Sequence, residues 1–173
     1  MLPWQANCIV SCMTDRKEAL TKLNALLKGA RICMLTSKDM RGNLHSRPMA
    51  LQEVETDGDL WFFTARHCHK VDEIKGDNRV NVAVVDGTTY ISISGAATTV
   101  DDKKKAQDLW NPLYKAWFPK GLEDPELLLL KISIDQAEYW DSPGGMATTL
   151  IGYVESLVTG KQANVGEHET VKL

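Results

Sequence analysis

A turn dipeptide between two extended apolar runs constrains this chain more than any other feature. Residues 44–70 read LHSRPMALQEVETDGDLWFFTARHCHK. Asp57-Gly58 is the strongest short-range hairpin signal a sequence offers, so it predicts that strand 44–55 folds back on strand 60–65. Arg47 and Met49 are two residues apart and leave the first strand on one face. The second strand is aromatic and ends in Thr64, and Lys70 follows after a short loop. A guanidinium, a hydroxyl and an ammonium then converge near one end of a small sheet. That donor set suits a phosphate, since it combines a forked donor, a neutral donor and a point charge. Met49 and the Trp61-Phe62-Phe63 run beside it can wall a flat ring. The competing bland reading makes Arg47 and Lys70 solvated surface charges and the aromatic run plain core.

The remaining elements favour antiparallel pairing. A helix begins at Thr14-Asp15, with Glu18 completing a capping box from Asp15. It carries Leu20, Leu23, Leu26 and Leu27 at helical spacing and stops at Gly29. Arg31–Ser37 is a strand and residues 38–43 are its turn. Pro48 removes a ladder donor from the next strand, so an edge, a bulge or a break is expected near Arg47. A short helix over His67–Lys75 leads to the alternating strand Arg79–Val85. Asp86-Gly87 turns the chain into a long strand over 89–100, where Gly95 marks a bend or a close backbone approach. Asp101–Leu109 is a charged helix, and Tyr114–Gly121 an aromatic loop. Leu127–Trp140 supplies the last strand, with an interruption expected over Asp135–Glu138. Met146–Thr159 reads as a terminal helix. The domain therefore spans 14–160, between an N-terminal extension over 1–13 and a loose tail over 161–173. Successive hairpins with short helices between them indicate a barrel, not a parallel βαβ sheet.

Composition narrows the function classes. The chain has 173 residues and a net charge of −3, with basic and acidic residues mixed along its length. A uniform mixture of that kind gives no electrostatic footprint for nucleic acid or an anionic membrane. No apolar run reaches the roughly 18 residues of a membrane span. The N-terminus lacks the basic start and cleavage site of a signal peptide. Cys8, Cys12, Cys33 and Cys68 form no disulfide framework, which favours a reducing cytoplasm. Cys33 lies in an apolar strand and reads as a buried thiol.

At this point the chain resembles the flavin-binding split β-barrels related to pyridoxamine 5′-phosphate oxidase, in the branch of the bacterial general stress protein 26 group. The resemblance rests on HSRPM at 45–49, LWFFT at 60–64, HK at 69–70 and ISISGAA at 91–97. LWNPLYKAWFPKG at 109–121, DPELLLLKI at 124–132 and AEYWD at 137–141 continue it in the same order. It implies a mainly β fold with flanking helices, a six-stranded antiparallel split β-barrel. It further implies a homodimer with two FMN sites between the subunits, with FAD as the alternative nucleotide. Arg47 would hold the flavin phosphate, and Pro48 and Met49 would lie at the ring. Phe63 and Thr64 match an aromatic–threonine pair that packs on the ring and reaches the phosphate. Lys70 matches the phosphate lysine, and His69 stands where the oxidases have arginine. Trp140 matches a tryptophan that reaches the flavin of the partner subunit. The oxidases proper end in an Arg-Leu-His-type segment that holds their substrate. This chain has Asp-Ser-Pro-Gly-Gly after Asp141's predecessor Trp140, so the resemblance does not carry pyridoxamine phosphate oxidation with it.

Other constellations are weaker. His67-Cys68-His69 lacks a second ligand cluster, so no metal is assigned. Asp101-Asp102 before three lysines suits a helix entrance. Trp110, Tyr114, Trp117 and Phe118 form an aromatic group that suits core, a dimer seam or a lid. No nucleophile motif, Walker loop or dinucleotide fingerprint is present. The resulting expectation is an FMN-binding stress protein acting as an oxidoreductase on an unassigned substrate. The alternatives are a non-catalytic flavin-binding or flavin-sensing protein, or the same barrel holding deazaflavin or haem.

Overall fold

The computed structural model describes residues 16–52, 58–141 and 167–172. The predicted extension over 1–13, the helix start at Thr14-Asp15 and the terminal helix over Met146–Thr159 lie outside the described residues.

Helix α1 (Arg16–Leu27) places Ala19, Leu20, Leu23 and Leu27 on one buried face. It stops where Ala30 N–H reaches back to Leu27 and Gly29 takes a φ of 109°, a conformation that costs glycine little. Strand β1 (Ile32–Lys38) then alternates, with Cys33, Leu35 and Ser37 buried. The turn into β2 (Leu44–Ala50) is built on one side chain. The Asp39 carboxylate accepts from the backbone N–H groups of Arg41 and Asn43, both at 2.8 Å, and from Asn43 Nδ2 at 3.0 Å.

The sheet is antiparallel throughout. With β3 (Asp59–Ala65), β4 (Arg79–Asp86), β5 (Thr89–Val100) and β6 (Leu127–Asp141), its order is β2-β1-β4-β5-β6-β3. This curled six-stranded sheet is the split β-barrel expected from the sequence. Its core fills the inside of the curl, where Leu35, Leu60, Phe62, Val82, Ile93, Leu130 and Ile132 are fully buried. A smaller core of Trp61, Ala106, Phe118, Leu127 and Leu129 lies on the other face of β3. Helix α3 (Lys103–Leu109) and two short 3-10 turns, Pro112–Ala116 and Gly121–Glu123, contribute to it. Helix α2 (His69–Gly76) contacts the inner sheet through Val71 and Ile74.

Two expectations are corrected. The hairpin predicted at Asp57-Gly58 does not pair its strands: β2 pairs with β1, and β3 pairs with β6. Gly58 does adopt the turn-like φ of 88°, but a local turn dictates only a local change of direction. β2 already has a partner across the short Asp39 turn, and apolar β3 finds a deeper one in β6. The second correction concerns the tail expected to be loose over 161–173. Strand β7 (Glu167–Lys172) pairs with β6 over Gln136–Asp141. β3 occupies the same edge of β6 only from Leu127 to Ser133, which leaves the far half for another strand.

Pro48 is on the end strand β2, the position that tolerates a missing donor. The interruption expected over Asp135–Glu138 is a single-residue bulge. Ser94 faces Gln136 while Gly95 faces Ile134, so Asp135 is the extra residue. A Cβ on Gly95 would collide with the carbonyl oxygen of Ser133, a backbone atom that cannot swing aside. Gly95→Ala is therefore expected to lower unfolding stability by about 2 kcal/mol, read as a shift in the urea midpoint at constant m-value.

Candidate functional site

The β1–β2 hairpin and the first turns of α2 enclose a cleft of about 630 Å³. Asp39, Met40, Arg41, His45, Arg47, Cys68, His69, Lys70, Asp72 and Glu73 line it. Arg47 reaches the cleft because the turn register sets it opposite Leu35, on the inward side of β2. Lys70 reaches it from the second position of α2, whose N-cap Cys68 supplies no side-chain cap. The amino end of this helix therefore faces the cleft with its positive dipole end uncapped by a side chain.

The two cations differ in their surroundings. Arg47 sits in a closed network: Nη1 donates to Ser37 Oγ at 2.9 Å, and Nη2 donates to Glu73 Oε2 at 2.8 Å. Ser37, 1 % exposed, donates its own proton to Glu73 Oε2 at 2.6 Å. Burial alone would raise the Glu73 carboxyl. The hydrogen bonds from Ser37 and Arg47 and the charges of Arg47 and His45 outweigh it, and hold Glu73 below the usual carboxylate value. Lys70 Nζ meets only the thioether of Met49, at 3.4 Å, and no carboxylate within ion-pair distance among the described residues. Burial pushes its pKa down. Nearby Arg47 acts in the same direction, and Cys68 and Glu73 oppose it.

The predicted site residues divide into three groups. Arg47, His69 and Lys70 line one cleft, and Met49 joins them through its contact with Lys70. Thr64 is buried at 2 % exposure, and its hydroxyl lies 3.4 Å from Cys68 Sγ behind the cleft wall. Phe63 and Pro48 point elsewhere. Phe63, on the opposite face of β3 from Thr64, packs against Tyr114 at 4.7 Å and Trp110 at 5.7 Å between ring centroids. Pro48 is exposed on the outer face of β2, and Trp140 lies on the outer face of β6 opposite Tyr90.

Sequence reasoning missed Ser37, Glu73 and Cys68. The signal for Glu73 was its position three residues after Lys70, which sets both on one helix face. Ser37 is the inward residue next to Leu35 in the alternation of β1. The metal reading of His67-Cys68-His69 finds no companion: His67 pairs with Glu126 at 2.9 Å, and no cluster of three potential ligands occurs among the described residues. Cys33 is buried as expected, and burial pushes its thiol up to about 12.

Known proteins resemble this chain in sequence or in fold. Protein bli-3 of Neurospora crassa is 30 % identical over 175 residues, covering 94 % of this chain and 83 % of that protein. A structure from Jannaschia sp. CCS1, assigned to general stress protein 26, superposes with a TM-score of 0.73 at 26 % identity. It covers 90 % of this chain and 99 % of the other. The general stress FMN/FAD binding protein of Xanthomonas citri superposes with a TM-score of 0.62 at 33 % identity, over 72 % of this chain and 89 % of that one. The family model for pyridoxamine 5′-phosphate oxidase like proteins matches residues 18–164. With the split barrel and the match over most of its length, this chain belongs to the pyridoxamine 5′-phosphate oxidase like family.

Proposed function

We propose that this protein binds FMN non-covalently, with the phosphate in the cleft between Arg47 and Lys70. The observation that carries this reading is Lys70: a partly buried ammonium beside a guanidinium, in an open cleft, with no carboxylate partner among the described residues. A desolvated cation of this kind is stabilised by an arriving anion, and a phosphate monoester brings a charge near −2. His69 and the amino end of α2 add donors at the cleft mouth. The donor set fits a flavin nucleotide tail. Thr64 supports the wall through its contact with Cys68.

A bound flavin supplies reversible hydride and electron transfer; this chain's residues bind the tail and orient the ring. The named binding activity of the Xanthomonas citri relative supports the same ligand class, FMN or FAD. Arg41 and His45 also line the cleft and would offer donors to the second phosphate of FAD. The functional class we infer is a flavin-dependent oxidoreductase of the general stress type. A second reading, a flavin-binding protein without turnover, is favoured by one observation. The chain after Trp140 continues as Asp-Ser-Pro-Gly-Gly and supplies no Arg-Leu-His-type segment for a pyridoxine phosphate.

The site is completed by a second copy in this reading. Ile32, Met34, Val85 and Tyr90 are 40–66 % exposed on the outer face of β1, β4 and β5, and Trp140 adjoins Tyr90. A contiguous apolar sheet face of this kind suits a homodimer seam. A homodimer joined through this face would bring Trp140 toward the neighbouring subunit's flavin.

Four measurements test these readings. Titration calorimetry of Arg47→Ala combined with Lys70→Ala shows FMN loosened by about a hundredfold or more and riboflavin little changed; equal losses for both ligands would place the phosphate elsewhere. FMN affinity falls as pH rises through the Lys70 pKa. Because burial lowers that pKa, the fall begins below the roughly 10.4 of an ordinary lysine, and riboflavin shows no matching fall. Sedimentation of Met34→Lys combined with Val85→Lys gives a monomer with weakened FMN binding. Anaerobic mixing with NADH or NADPH separates the two functional readings, since a flavin that stays oxidised counts against the oxidoreductase.

A further inference from the structure

Of the cations that line the cleft, Arg47 already holds an anion. Glu73 Oε2 takes the Nη2 edge of Arg47 at 2.8 Å and the hydroxyl proton of Ser37 at 2.6 Å. Its side chain is 11 % exposed, and that of Arg47 is 23 % exposed. A guanidinium presents its donors in a fixed planar fork, so an edge spent on a carboxylate is not available to a phosphate. Glu73 also stands one turn after Lys70 on α2, so its charge acts on both cations. Across its charged lining, Arg41, Arg47 and Lys70 face Asp39, Asp72 and Glu73, so removing the Glu73 charge leaves the cleft one net positive charge instead of none.

We propose that Glu73 is an internal occupant of the anion site, one that competes with the ligand's phosphate for Arg47 and so sets how strongly the protein prefers a phosphorylated flavin over an uncharged one. Glu73 keeps the charge of Arg47 compensated when no ligand is bound. Phosphate binding displaces the carboxylate from Nη2, and Ser37 retains it through its hydroxyl. The cost of that displacement, and of the like charge left beside the phosphate, lowers FMN affinity below what two free cations would give. This inference rests on the phosphate reading of the cleft.

The test is calorimetric titration of the full chain with FMN and with riboflavin, for the wild type, Glu73→Gln and Lys70→Ala. Glu73→Gln nearly preserves the shape and removes the charge. The expected result is FMN binding about tenfold tighter with riboflavin within twofold of wild type. FMN affinity that is unchanged or weaker in Glu73→Gln overturns the proposal, since it makes Glu73 a residue that positions Arg47 or one without influence. Lys70→Ala separates the two levels. If it changes FMN and riboflavin affinity by the same factor, the phosphate reading fails; if it weakens FMN alone while Glu73→Gln does not tighten it, only the role of Glu73 fails. Should Glu73→Gln not fold, carboxyl-carbon NMR of the wild type gives the answer. FMN, but not riboflavin, then raises the Glu73 pKa as Arg47 is withdrawn, and an unmoved titration overturns the proposal.

Discussion

A strand of fifteen residues has backbone groups to satisfy along two edges, and β6 does so with three neighbours. β5 covers one edge, with the bulge at Asp135 bending the strand and sharpening its local twist. β3 and β7 divide the other. Everything else in the barrel follows from this arrangement. With β3 drawn to β6, the end strands β2 and β3 are left unpaired with each other, and the barrel is split between them. The residues that curl inward, from Leu35 on β1 to Ile132 on β6, form one dry core. At Gly95 the backbone of β6 fills the space a side chain would need, and the missing side chain is a condition of that packing.

The cleft depends on the same sheet at one remove. Its chemistry needs Arg47 on the inward face of a terminal strand. The Asp39 turn achieves this by holding β2 in register with β1. The end strand is also the only place in the sheet where a proline next to the site is inexpensive. Helix α2 then supplies Lys70 and Glu73 on one face, anchored to the core by Val71 and Ile74. The result is a pair of cations in unequal states. Arg47 is compensated by a carboxylate on the same chain, while Lys70 is desolvated next to a thioether. Unequal states of this kind make a site selective, because an incoming anion gains most from the group that lacks a partner.

Much of this was legible from residue order. The alternation in β1 and β4, the Asp86-Gly87 turn, the bend at Gly95 and the edge position of Pro48 follow from period and from backbone chemistry, which act over a few residues. Arg47 and Lys70 were legible only as candidates, because their spacing fits a shared anion site and solvated surface charges alike. Phe63 and Thr64 were harder. Adjacent strand residues face opposite sides, so one joins the main core side and the other the aromatic cluster with Trp110 and Tyr114. A motif read as a pair is split by the pleat.

By itself, the sequence determined the antiparallel class, the inward face of each strand, and the two cations that make an anion site chemically sensible. These depend on side-chain period, turn residues and charge type, all local properties. Only the tertiary structure decided which strands are neighbours, and so that β2 and β3 part instead of closing a hairpin, and that the polar segment over 167–172 adds a strand to β6. It also decided that Glu73 and Ser37 meet Arg47 across 26 and 10 residues of chain. Strand pairing and ion pairing over such separations are set by competition among many apolar faces and open edges, and no short window of residues contains that competition.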